Sequence, residues 1–125
     1  MIHLDTSFLV QALVAESPQD RMLRGWLQGG EPLGISAIGW AEFLCGPLEA
    51  DQLELVSGLL HPPEAFEASD AELAARLFNL AGRRRGTLGD CMIAATAISS
   101  EATLATANPR DFRRFESAGL TVLAA

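Results

Sequence analysis

Residues 87–112 read TLGDCMIAATAISSEATLATANPRDF, and the rest of the chain is organised around this stretch. An acid, Asp90, stands just ahead of Cys91, Met92, Ile93, Ala94, Ala95, Ala97 and Ile98, which leave almost no polar face. A helix that apolar is buried on most sides. Asp90 falls in its first turn, where the helix dipole favours negative charge. A short β-like run follows at Thr103, Leu104, Ala105 and Thr106. Asn108-Pro109-Arg110-Asp111 then has the pattern of a helix start, with Asn as cap and Pro at the first helical position. Two helix starts and one strand end thus carry Asp90, Thr106, Asn108 and Asp111. Asp90 and Asn108 are either plain caps or parts of a site; what decides is whether other parts of the chain send acids to the same place.

Upstream, Met1-Ile2-His3-Leu4 reads as a strand that ends at Asp5 and feeds a helix over residues 7–15. His3 falls inside that strand and is expected to be a hydrogen-bonded core residue. Ser17-Pro18 starts a second helix, which carries Met22, Leu23, Trp26 and Leu27 and stops at Gly29-Gly30. Residues 33–35 form a second strand. Ser36 caps a helix over 37–45, on which Glu42 lies beside the apolar stripe rather than opposite it. A fourth helix spans 49–60, and His61-Pro62-Pro63 breaks the chain.

Residues 65–67 are a weak strand candidate. Ser69 and Glu72 have capping-box spacing for a long helix over 70–84, with Leu73, Ala74, Leu77, Leu80 and Ala81 as its apolar face. That helix is expected to end in Arg83, Arg84 and Arg85, either as cations compensating the dipole or as phosphate contacts. A last strand covers 120–123. Strands alternating with helices imply an α/β fold: a three-layer sandwich with a central parallel sheet and helices on both faces, in one domain over residues 1–125.

Composition narrows the chemistry. The 125 residues suffice for one core, and a hydrophobic content of 49% argues against disorder. No apolar run reaches the roughly 20 residues needed to cross a bilayer, and the N-terminus lacks a secretory pattern, so a cytoplasmic protein without membrane contact is expected. Cys45 and Cys91 form no CxxC, zinc or disulfide pattern. The net charge of −7 argues against broad, charge-driven nucleic-acid binding. Every base is Arg. Without Lys there is no P-loop and no phosphate-binding Lys of the receiver or haloacid-dehalogenase type. Local basic patches remain at Arg83, Arg84 and Arg85 and at Arg110, Arg113 and Arg114.

In an open parallel sheet, ligands collect beyond the carboxyl ends of the strands. Asp5 follows the first strand, Glu42 lies on the helix after the second, and Thr106 ends the fourth of the expected strands. Asp5, Glu42, Asp90 and Asp111 converge if the first strand is central and beside the strand 103–106. Four carboxylates in one cleft either shift their pKa values up or hold a cation. Oxygen-only ligation selects hard ions, Mg²⁺ or Mn²⁺, which activate water and neutralise phosphate oxygens.

LDTSFLV at 4–10, ISAIGWAEFLCG at 35–46, LGDCMIAATA at 88–97 and TANPRDFRRF at 106–115 resemble the successive motifs of PIN-domain proteins, most of all VapC-like toxins of toxin–antitoxin pairs. The resemblance implies a small metal-dependent endoribonuclease with a five-stranded parallel sheet. It implies Asp5 and Asp90 as main metal ligands and Glu42 as a ligand or orienter of the attacking water. Where the family carries its fourth acid, this chain has either the amide Asn108 or Asp111, so Asp111 supplies the charge. Thr6 and Thr106 are implied as hydroxyl donors, and Ser7 and Asn108 as groups that orient ligands from behind.

A cognate antitoxin is implied as partner, RNA as substrate and a homodimer as assembly. Trp26 and Trp40 serve either a partner groove or the core. Two other readings stand beside this one: a PIN-fold nuclease outside toxin–antitoxin systems, and a non-catalytic module holding RNA or protein.

Overall fold

Four short strands lie parallel in the order β2-β1-β3-β4: β1 (Ile2–Leu4), β2 (Leu33–Gly34), β3 (Thr103–Thr106) and β4 (Thr121–Ala124). The computed structural model describes residues 1–124. β1 is flanked on both sides, pairing Ile2 with Leu33 and Leu4 with Ala105. Side-chain alternation along the strands separates two cores. Ile2, Leu4, Leu33 and Ala105 pack with Phe8, Leu9, Leu23, Phe43 and Val56 from α1 (Thr6–Ala12), α2 (Pro18–Gln28), α3 (Ala37–Leu44) and α4 (Ala50–Leu59). Leu104 packs with Ala74, Leu77, Ala94, Phe112 and Phe115 from α5 (Ala68–Leu80), α6 (Leu88–Ser99), α7 (Pro109–Phe112) and the 3₁₀ turn Arg113–Ala118. The expected sandwich of helices on both faces of a parallel sheet is the fold observed.

The sheet has four strands among the described residues, not the expected five. The chain does return to the free edge of β2, but at His61 and Glu64 rather than at 65–67. The His61 amide donates to Leu33 O at 2.9 Å, the Glu64 amide to Ile35 O at 2.8 Å, and Ala37 N to Glu64 O at 2.8 Å. Between these contacts stand Pro62 and Pro63, which have no N–H to give. What remains is a single bridge between Ser36 and Glu64.

Two helix boundaries also move. The capping box of α5 is Glu67 with Asp70, not Ser69 with Glu72, and the Glu67 amide donates to Asp70 Oδ2 at 2.9 Å. The helix ends at Leu80, so the Arg run lies in the turn beyond it and places no cation in the last helical turn. Arg83 has φ 58° and donates to Asn79 Oδ1 at 2.7 Å. Leu80 is 63% exposed and leaves the expected apolar face.

His3 is buried as expected, but none of the described residues bonds either ring nitrogen. Its ring lies against Gly34, where an added Cβ would stand 3.2 Å from His3 Cδ2 and 3.0 Å from Met1 Sδ. Burial holds the imidazole below its ordinary pKa against the opposing pull of Glu64, so His3 is neutral at pH 7.

Candidate functional site

The sheet order makes the seam between β1 and β3 the place where successive connections depart in opposite directions, and their carboxyl ends open a crevice there. Asp5 comes directly after β1 and caps α1, its Oδ1 accepting the Phe8 amide at 2.9 Å. The same oxygen accepts the Ser7 hydroxyl at 2.7 Å, and Oδ2 accepts the Thr106 hydroxyl at 2.8 Å. Thr106 ends β3 and in turn accepts the Asn108 amide at 2.9 Å, while Ser7 Oγ accepts the Ala107 amide at 3.2 Å. Residues a hundred positions apart are thereby tied around one buried carboxylate. Burial raises the Asp5 carboxyl above its ordinary range; the Phe8, Ser7 and Thr106 donors oppose the rise, and the Asp111 charge adds to it.

Asp90 is the third residue of α6, and among the described residues no cation pairs with it. Burial first, then the charges of Asp111 and Glu42, push its carboxyl up to about 6, with a further rise from Asp5 and an opposing pull from Arg114. Glu42 projects from α3 and its Oε2 accepts the Thr6 hydroxyl at 3.3 Å; the same hydroxyl also reaches Gly39 O at 3.2 Å. A Cβ on Gly89 would lie 3.1 Å from Glu42 Oε1, so this glycine makes room for the carboxylate beside α6. Glu42 and Asp111 are exposed, whereas Asp5 is buried and Asp90 half-buried.

The four acids singled out from the sequence therefore act on one another across the crevice. As placed, and among the described residues, no three His, Cys, Asp or Glu side chains yet enclose a metal ion. The donor set nonetheless fits a hard divalent cation. It is carboxylate only, two members are desolvated and mutually repelling, and the two exposed members act on Asp90 from its rim.

Asn108 has its backbone amide in the network, but its side chain makes no cap bond, which departs from the expected Asn cap. Arg83, Arg84 and Arg85 are exposed in the turn that leads into α6. Arg110 is exposed, and Arg113 pairs with Glu116 at 3.6 Å. Arg114 separates from these two, being half-buried over the Phe115 ring and electrostatically coupled to Asp90. Sequence reading missed Gly89, whose role depends on Glu42 arriving from another helix, and it missed this separation of Arg114. The Arg114–Phe115 adjacency is the one signal that could have suggested it.

A PIN domain family model matches residues 2–117. Among solved structures, the chain resembles one in VapBC2 from Rickettsia felis bound to a DNA fragment from their promoter. The identity is 24% over 100% of this chain and 99% of that one, with a TM-score of 0.79. It is also similar to a chain of DNA-bound VapBC from Salmonella typhimurium, at 22% identity over 98% and 96% of the two chains and a TM-score of 0.74. A chain of FitAcB from Neisseria gonorrhoeae is 24% identical over 98% and 96%, with a TM-score of 0.70. At these identities the likeness shows the fold. No curated protein matches by sequence.

Proposed function

This chain belongs to the PIN domain family, and we propose that it is the toxin of a VapBC-type pair: a Mg²⁺- or Mn²⁺-dependent endoribonuclease restrained by a cognate antitoxin. The observation that carries the reading is the mutual coupling of Asp90 with Asp111, Glu42 and Asp5 at the carboxyl ends of β1 and β3. An acid held near 6 by burial and by other acids is destabilising until a cation arrives, which is a functional-site signature. It is strengthened by the VapBC complexes of similar fold.

In this reading Asp5 and Asp90 would hold the ion, with Glu42 and Asp111 completing the acidic set. When bound, the ion supplies charge neutralisation at the scissile phosphate and a more acidic water. The chain does the rest. Phe8 N–H and the Ser7 and Thr106 hydroxyls aim Asp5 and keep it from rotating. Thr6 fixes Glu42 through Oε2, leaving Oε1 beside Gly89 to accept a proton from an attacking water. Exposed Arg83, Arg84, Arg85, Arg110 and Arg113 flank the site along the chain and are the phosphate-binding candidates on an otherwise acidic protein.

An apolar trough between α1, α2 and α4 supports the antitoxin assignment. It holds a cavity of about 230 Å³ lined in part by Leu9, Leu23, Leu27, Leu55 and Val56, with Leu55 56% exposed. Trp26 and Trp40 do not line it. Their rings pack inward, Trp26 stacking on Phe8 at 5.3 Å and Trp40 tilted on Phe43 at 5.7 Å. None of the described helices is long and apolar enough to cross a membrane.

The test is digestion of total RNA by the purified protein. Discrete cleavage with Mn²⁺, loss in EDTA and recovery on adding Mn²⁺ back are expected. Metal-independent cleavage, or none with the ion present, would overturn the proposal.

A further inference from the structure

Among the described residues the ion pairs are Arg24 with Asp20 and Arg113 with Glu116, and Arg114 belongs to neither. Its guanidinium carbon stands 4.9 Å from the centroid of the buried Phe115 ring, and its Nε is shielded from solvent without a hydrogen-bond partner among the described residues. Phe115 also packs with Phe112 edge to face at 6.4 Å, so the turn beneath Arg114 is anchored in the core. Phe115 in turn shares its buried cluster with Cys91, Ala94 and Ala95 of α6, the helix that carries Asp90, and the Arg114 charge acts on Asp90.

A half-buried guanidinium whose charge acts on Asp90, and which pairs with no acid among the described residues, is a costly arrangement if it serves folding alone. The rigid fork of an Arg suits an oxyanion with two free oxygens, such as a phosphodiester. We propose that Arg114 is a clamp for the substrate phosphate inside the acid crevice, distinct in role from the exposed arginines that hold RNA at the surface. This rests on the nuclease reading above. The placement has an opposed pair of consequences: one positive charge beside the acids disfavours the metal ion but favours the phosphate that comes with it.

The experiment compares wild type, Arg114→Ala, Arg114→Lys and Arg110→Ala by calorimetric Mn²⁺ titration, single-turnover RNA cleavage at saturating Mn²⁺, and thermal melting. Arg114→Ala is expected to bind Mn²⁺ several-fold more tightly yet cleave about 10²-fold more slowly, the loss typical of removing one preorganised donor. Arg114→Lys keeps the charge, so its Mn²⁺ affinity should stay near wild type while the rate recovers only in part. Arg110→Ala should leave Mn²⁺ affinity unchanged and weaken RNA binding. Mn²⁺ affinity that stays level or falls in Arg114→Ala, or a cleavage rate that does not fall, overturns the clamp. A lower melting temperature with both properties reduced in Arg114→Ala and Arg114→Lys alike would mark a structural residue and overturn it too. Wild type that binds no Mn²⁺ and cuts no RNA defeats the nuclease reading, and the clamp with it.

Discussion

Among the described residues Asp5 is fixed by three neutral donors and no cation, so its position is set by hydrogen bonds whose partners can be removed one at a time. Thr106→Val should lower Mn²⁺ affinity and cleavage by about 10- to 100-fold, the usual effect of losing a group behind a metal ligand. Thr106→Ser should restore most of it, since Oγ also serves the Asn108 amide. Asp90 gives a pH dependence whose sign is fixed. An acid raised from 3.8 to about 6 binds more protons folded than unfolded between those values, so metal-free stability from this group falls as pH rises through that window. Asp90→Asn should therefore stabilise the metal-free protein at pH 7.5 by about 1 kcal/mol, after allowing for solvent screening, and the gain should vanish near pH 4 in denaturant melts. Mn²⁺ affinity should drop by about tenfold per unit as pH falls below 6, because a proton must leave Asp90. The four acids were legible as candidates. Their mutual distances were not, because which way Glu42 and Asp111 turn depends on side chains from other elements.

At the scale of elements, α6 presents Asp90, and Gly89 just before it clears space for Glu42 from α3. Gly89→Ala should push Glu42 Oε1 aside and slow cleavage by about tenfold or more. Its melting temperature should hardly move, since the displaced group is the exposed end of a flexible side chain. The long apolar helix, the Ser17 and Ser36 caps and the Asp5 turn were all readable from spacing and capping residues. The α5 start was misread because Glu67 and Asp70 share the three-residue spacing of Ser69 and Glu72, and the residue types favour the second pair. Burial of Asp70 settles it, and burial is not a local property. The missing fifth strand was half visible: Pro62-Pro63 announced a break, but not that the chain beside it would still track β2.

The molecule as a whole places its chemistry by topology. With β1 central, the strand reached first and the strand reached after residue 100 become neighbours, and the acids gather at that seam. The alternation of strands and helices foresaw this only on the condition that the first strand be central; the strand order itself was not legible, because it is set by non-local pairing. The lining of the trough between α1, α2 and α4 includes none of the four acids, so the proposed partner binding and catalysis can be tested separately by mutation. Leu55→Glu should abolish capture by the antitoxin while leaving RNA cleavage intact, measured by co-purification and by digestion of the same RNA.

The central claim is that the coupled acids are a metal-dependent phosphodiester-cleaving centre. Single-turnover cleavage of an end-labelled RNA at saturating Mn²⁺ by wild type, Asp5→Asn and Asp90→Asn tests it most directly. Each variant should melt at or above the wild-type temperature yet cleave at least about 10²-fold more slowly. Folded variants that cut the RNA at the wild-type rate would contradict the account.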